Sequence, residues 1–317
     1  MASVLMVTPS YNSAETIDDT ILSVVSQGGE FDLHYHVQDG GSDDGTLLAL
    51  ARWDETIRSG ILPVRAHSLS FSYASEPDRG MYEAINRGFD RAQNAEIMSW
   101  INADDRLQPG AIQTAVSVFS VASDVRWLGG RHSYCDESGM PIATLDLKVY
   151  SRDLLSLGFY EGRKLFFMQQ EGVFWKRGLW QSVGGKLDDS LRWAGDFDLW
   201  RRFAEYSDYI SVDAVLGNFR IRRGQATSKL DLYYGEVDRI LVPLSEKRES
   251  TWRALISGTR LNASLDLSGR IARYDGIDRS WILEKKTASV PFPHAPGPLN
   301  RAREVFKDAL YRLGTRS

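Results

Sequence analysis

Residues 97–105 read Ile97-Met98-Ser99-Trp100-Ile101-Asn102-Ala103-Asp104-Asp105. The first five are short and nearly all apolar, the pattern of a strand buried on both faces. A carboxamide and two adjacent carboxylates follow at once. Open α/β sheets bind ligands at the carboxyl ends of their strands, so this polar segment is expected at a sheet edge. Neighbouring carboxylates repel each other unless a cation or a proton neutralises them. Two readings stand. One is a divalent metal site with oxygen ligands, suited to Mg²⁺ or Mn²⁺. The other is a turn with a helix N-cap at Asp105, since Arg-Leu-Gln-Pro-Gly comes next.

Working outward, the same grammar repeats. Val4-Leu5-Met6-Val7-Thr8 is a buried-strand pattern that ends at Pro9-Ser10-Tyr11-Asn12-Ser13. Residues 14–27 are helical by period, with Ile17, Ile21, Leu22, Val24 and Val25 on one stripe and Ser13 as N-cap. A strand at 34–38 precedes Asp39-Gly40-Gly41-Ser42-Asp43-Asp44-Gly45-Thr46, and residues 47–58 read as helix. A strand at 71–74 leads into Glu76-Pro77-Asp78-Arg79-Gly80, and residues 81–92 are again helical. Alternating strands and helices predict βαβ units and a mostly parallel sheet. Polar loops after Thr8, Gln38, Ala74 and Ile101 then gather on one edge and form one cleft.

The second half is less regular. Strands are expected at 127–130, 142–145 and 169–175, a helix over 193–205 and a strand pair within 209–220. Helices are expected to dominate beyond Thr227. Residues 291–298 are proline-rich and read as a linker. The segment 299–317 is amphipathic, with five basic residues against two acidic ones.

Composition narrows the class. The chain has 317 residues, 43% hydrophobic and 25% charged, with a net charge of −4. That balance gives no basic face for nucleic acid. The lone Cys135 excludes an internal disulfide and a cysteine zinc cluster. The start lacks a basic stretch followed by a long apolar one, so no signal peptide is expected. No apolar run reaches membrane-spanning length, and a reducing cytoplasm is the expected compartment. Nine tryptophans serve core packing or carbohydrate stacking. The five histidines are scattered without ligand spacing.

Six segments in order carry a resemblance: VTPSYN (7–12), QDGGSDDGT (38–46), SEPDRGMYEAINRG (75–88), WINADD (100–105), QQEGVFW (169–175) and AGDFDLW (194–200). Together they resemble the family 2 glycosyltransferases of the GT-A fold, over roughly residues 3–220. The resemblance implies an α/β fold with a Rossmann-like, mostly parallel central sheet and flanking helices. The expected organisation is a nucleotide-sugar-binding and catalytic domain over 1–225, a helical C-terminal extension over 226–290, and a linker with basic tail over 291–317.

The resemblance also implies roles. Asp39 contacts the nucleobase of a nucleotide-sugar, with Pro9, Tyr11 and Asn12 lining the pocket. Asp78, Arg79 and Asn86 lie along the same groove. Asn102-Ala103-Asp104 takes the place of an Asp-x-Asp motif. Asn102 departs from it, since a carboxamide bonds a ribose hydroxyl but brings no charge. Asp104 and Asp105 are then the metal ligands, for Mn²⁺ or Mg²⁺. Asp196 is the general base. Gly195 stands where relatives often have Glu. Asp198, two residues along a helix, faces elsewhere and suits structural hydrogen bonds. Gln170, Glu171, Trp193 and Asp198 are placed on the acceptor side, and Trp175 and Trp180 are further aromatics for sugar rings. The stretch 220–225 is either a solvated basic turn or a loop closing on the diphosphate.

The expected activity is inverting, metal-dependent sugar transfer from a nucleoside-diphosphate sugar to a hydroxyl of a glycan or lipid-linked glycan. UDP is favoured by family habit, and bacterial exopolysaccharide, capsule or lipopolysaccharide synthesis is the setting. The basic tail suits peripheral docking on the cytoplasmic face of the inner membrane, or packing on its own domain or a second copy. A sugar nucleotidyltransferase is the first rival, but the loop after Thr8 has no Lys or Arg for a triphosphate. A non-catalytic nucleotide-sugar-binding subunit is the second.

Overall fold

The computed structural model describes residues 1–91, 94–222, 230–257 and 264–291. Its first half alternates strand and helix. β1 (Ala2–Ser10) leads to α1 (Ile17–Val25), β2 (Gly29–Asp39) to α2 (Thr46–Arg58), and β3 (Ala66–Ser75) to α3 (Met81–Asp90). β4 (Ile97–Trp100), β5 (Arg106–Leu107) and α4 (Ala111–Val121) follow. The next part holds β6 (Trp127–Gly129), β7 (Ser133–Cys135), β8 (Pro141–Thr144), α5 (Arg152–Ser156), β9 (Phe174–Lys176) and α6 (Arg177–Ser182). Then come α7 (Gly195–Tyr206), β10 (Tyr209–Val212), β11 (Gly217–Arg220), α8 (Leu230–Leu241), α9 (Ser245–Ser257), β12 (Ser264–Asp275) and β13 (Ser280–Pro291).

A nine-stranded sheet runs β13-β12-β10-β6-β9-β4-β1-β2-β3, and a small sheet runs β5-β11-β7-β8. β1 sits between β4 and β2, parallel to both. Val4 and Met6 face a core built with α1 and α4, whereas Leu5 and Val7 face a second core built with α3 and α7. Burial on both faces is why β1 reads as a continuous apolar run instead of an alternating one. The parallel register brings the carboxyl ends together: Ser10 lies opposite Asp39, Asp39 opposite Ser75, and Val7 opposite Trp100. The expected single edge of polar loops is therefore present.

The tryptophans serve the core. Trp100, Trp127 and Trp175 are fully buried. Trp100 stacks on Trp200 at 5.4 Å with planes 8° apart. Trp175 and Trp180 are buried in the same cluster, which removes them from sugar stacking.

Three expectations change. Segment 226–290 is not helical throughout: β12 and β13 form an antiparallel hairpin, and β12 pairs in parallel with β10. Leu265 and Leu267 are buried while their neighbours Asp266 and Ser268 are exposed, a period of two that belongs to a strand. The hairpin thus extends the central sheet. Of 169–175, only the last two residues join β9, and Gly172 turns with φ at 83°. β10 and β11, expected as a pair, lie in different sheets. The linker from 292 and the basic segment 299–317 lie outside the described residues, as do Arg223, Gly224 and Gln225. Among the described residues no helix is long and apolar enough to cross a membrane.

Candidate active site

Asp39 closes β2 and is fully buried. Its Oδ2 accepts N–H bonds from Gly41 at 3.0 Å and Ser42 at 2.9 Å, and the Ser75 hydroxyl at 2.7 Å. Its Oδ1 accepts the Ser42 hydroxyl at 2.5 Å. The carboxylate therefore holds its own loop and the end of β3, and a nucleobase contact would have to displace one of these donors. Around it, Pro9 is buried at the end of β1 and Tyr11 is 65% exposed. Asn12 has φ at 48°, and its Oδ1 accepts the Asp43 N–H at 3.0 Å. Asp44, not Ser42, braces the next helix, accepting Thr46 N–H at 3.0 Å.

The following loop presses on this one. A Cβ at Gly40 would lie 2.7 Å from Asp78 Oδ2, so a side chain there would push the Asp78 carboxylate aside. Partial burial raises the Asp78 pKa, and the charges of Glu83 and Asp39 add to it against a bond from Gly80 N–H. Arg79 is committed to carboxylates: Glu83 at 2.8 Å and Asp189 at 3.2 Å. Asn86 gives both halves of its carboxamide to Leu187, donating to the carbonyl at 3.0 Å and accepting the N–H at 2.9 Å. Asn86 thus staples α3 to the loop before α7.

The two acids after β4 point different ways. Asp104 Oδ2 accepts Arg222 Nε at 2.8 Å and stays partly accessible. Asp105 turns inward, 1% exposed. Its Oδ1 accepts Arg220 N–H at 2.8 Å and its Oδ2 accepts Asn102 Nδ2 at 3.1 Å. Burial pushes its pKa well up, as do the negative charges of Glu171 and Asp104. Burial likewise raises Glu171. Asp105 is braced by β11 and by its own loop, and Asp104 presents the more accessible carboxylate of the two. Asn102 Oδ1 has no hydrogen-bond partner among the described residues, and Ala103 is buried with its carbonyl accepting the Thr16 hydroxyl at 2.9 Å.

Mg²⁺ and Mn²⁺ are commonly held by one or two carboxylates with phosphate oxygens and water completing the shell. Asp104 and the Asn102 amide oxygen fit that mode. Among the described residues no three acids, histidines or cysteines converge on a fully protein-built site. Arg220, read from the sequence as part of a basic turn or loop, is a buried anchor instead. Its guanidinium donates to the Asp104 carbonyl at 2.7 Å, the Glu137 carbonyl at 2.7 Å and Asp19 Oδ2 at 2.9 Å.

Asp196 is the second residue of α7. It lies in a recess where the Tyr82 hydroxyl donates to its Oδ1 at 3.4 Å. Desolvation by the recess walls pushes its carboxyl up to about 6, with the Glu236 charge adding and N–H groups of the helix start opposing. Gly195 before it has no room for a side chain: a Cβ would lie 2.6 Å from the Tyr82 ring. Asp198 faces elsewhere, as expected, and binds Arg202 at 2.8 Å and Arg201 at 3.7 Å. Gln170 is buried and donates to the Trp100 carbonyl at 2.7 Å. Glu171 is buried, and desolvation raises its carboxyl to about 7, with the charges of Asp196 and Asp104 adding to it. Trp193 is half-buried, and its N–H is held by Glu236 at 2.8 Å.

The model of the family described as glycosyl transferase family 2 matches residues 6–169, just over half of the chain. The chain belongs to glycosyl transferase family 2. An uncharacterized glycosyltransferase of Mycobacterium tuberculosis is 30% identical over 129 residues, 40% of the transferase and 44% of that protein. The chain thus spans under half the length of that relative. One from Rickettsia prowazekii is 23% identical over 229 residues, covering 71% of the transferase and 66% of its own length. Among solved structures, S. aureus TarS residues 1–349 with UDP-GlcNAc superposes with a TM-score of 0.52 at 15% identity, over 72% of this chain and 61% of that one. The mannosyltransferase PcManGT of Pyrobaculum calidifontis, with GDP-Man and Mn²⁺, gives 0.51 at 18%, over 74% and 64%. At such identities the likeness shows the fold, which is GT-A.

Two residues at the transferase's site were not singled out from sequence. Tyr82 stood inside a quoted motif without a role. Glu236 had a signal that went unread. Tyr233, Val237, Ile240 and Leu241 make an apolar stripe along α8, and Glu236 is an acid set among them.

Proposed function

We propose that the transferase is an inverting enzyme that moves a sugar from a nucleoside-diphosphate sugar to an acceptor hydroxyl, with Asp196 as general base. The observation that carries this reading is the placement of two acids around Glu171. Asp104 stands partly accessible after β4 and Asp196 at the start of α7, and the charge of each reaches the buried Glu171 carboxyl. Asp196 takes the acceptor proton as the hydroxyl oxygen bonds to the anomeric carbon. The bond from that carbon to the diphosphate breaks, and the nucleoside diphosphate leaves. A single displacement inverts the configuration. A carboxyl raised to about 6 is a better proton acceptor than an ordinary aspartate and is still ionised at neutral pH.

Asp104 and Asn102 would hold Mn²⁺ or Mg²⁺ arriving with the donor. The ion would act as a Lewis acid on the diphosphate. Arg222, which pairs with Asp104 at 2.8 Å, would compete with the ion for that carboxylate. Ser10, Tyr11, Asn12 and Asp39 frame the nucleoside end. A UDP-sugar is the favoured donor, and glycan or lipid-linked glycan acceptors of bacterial polysaccharide synthesis suit the family. The basic 299–317 segment suits the cytoplasmic face of an anionic membrane.

The test is turnover of UDP-N-acetylglucosamine, UDP-glucose and GDP-mannose with Mn²⁺. Release of nucleoside diphosphate that is lost in Asp196→Asn, with donor binding retained, supports the reading. Tight nucleotide binding with no turnover of any donor favours the non-catalytic subunit.

A further inference from the structure

Glu236 reaches from α8 to the turn that leads into α7. Its Oε1 accepts the Arg192 N–H at 2.9 Å, and its Oε2 accepts those of Trp193 at 2.8 Å and Ala194 at 2.9 Å. The side chain is buried, and the nearest ion-pair cation is Arg239 at 3.8 Å. Three bonds from successive N–H groups to one carboxylate are charge-assisted and directional. They fix the main chain two residues before Asp196. No side chain at 195 shares the task, because the Tyr82 ring fills that space. Removing Glu236 would therefore free the main chain that aims Asp196.

We propose that Glu236 is the positioning residue for Asp196, fixing the backbone that presents it and supplying the negative charge it faces from α8. The inference rests on Asp196 being the base. It also makes α8, which lies beyond the residues matched by the family model, part of the catalytic apparatus. The groups facing Asp196 are the Tyr82 hydroxyl from α3, Glu236 and Tyr233 from α8, and Glu171 from the turn before β9. Removing the Glu236 charge makes the ionised Asp196 easier to form, and so does uncovering the N–H groups at the helix start.

The experiment is a carboxyl ¹³C titration of the full chain labelled at aspartate. The Asp196 signal is assigned by its loss in Asp196→Asn. In Glu236→Gln the Asp196 midpoint should move to lower pH by about one pH unit, the scale of one nearby charge. An unmoved midpoint in the folded variant overturns the proposal. Should the Gln variant not fold, Glu236→Asp carries the test. It keeps the charge but shortens the reach, so amide exchange at Trp193 and Ala194 should quicken. Unchanged exchange there overturns the proposal. Failure of the base assignment shows separately, as donor turnover that survives in Asp196→Asn.

Discussion

At the β2 end of the cleft, Asp39 is fully buried and accepts four hydrogen bonds from its own loop and from Ser75. In the α7 recess, Asp196 has one side-chain donor, Tyr82, at the long distance of 3.4 Å. The same functional group is tied down by short side-chain and loop bonds in one region and held by helix-start N–H groups and one long side-chain bond in the other. A carboxylate so tied is a shaping element, because any new partner must displace an existing donor. A less tightly held one with a raised pKa is poised to take a proton. The contrast also sorts the remaining acids. Asp105 and Asp198 are engaged by neighbours, whereas Asp104 is partly accessible and its ion pair to Arg222 is one that a ligand can replace.

That sorting breaks most visibly at Asp196. Asp196→Asn should lower donor turnover by about 10²–10⁴-fold, the contribution of one general base, with nucleotide affinity unchanged in calorimetry. A smaller loss would place Asp196 among the shaping acids. Asp104→Asn comes next. Mn²⁺-dependent donor affinity should fall by about tenfold to a hundredfold, the worth of one charge-assisted contact. Equal affinity with and without Mn²⁺ in the wild type would deny Asp104 this part. The smallest effect is on stability. Arg220→Met removes the bonds of a buried guanidinium to the Asp104 and Glu137 carbonyls and to Asp19, and should cost about 2–3 kcal/mol in chemical denaturation. Unchanged stability would mean the β11 anchor is dispensable to the loop.

The donor-side edge was largely legible in the sequence, because its information is local. Val4–Thr8 and Ile97–Ile101 declare doubly buried strands by composition, and each polar loop follows its strand directly. Parallel pairing then brings Ser10, Asp39 and Ser75 together without further instruction. The base side was less legible, because its partners are distant. Asn86 answers to Leu187, and Glu236 to residues 192–194. No periodicity joins those positions. The β12–β13 hairpin is a different case. Its alternation around Leu265 and Leu267 is present, but the expectation of helix beyond Thr227 was carried across it. The different directions of Asp104 and Asp105 were not legible because they lie in the turn between β4 and β5, where long-range partners, Arg222 for one and the Arg220 N–H for the other, set them.

The most direct test of the account is the pH profile of kcat/KM for donor turnover, which reports the essential base of the free enzyme. Asp196 has a folded pKa raised above that of an ordinary aspartate, to about 6, and it must be ionised to act. The rate should therefore be low at pH 5, climb through a midpoint near 6 and level off above 7. A profile already flat from pH 4.5 upward, in protein that remains folded, would contradict it.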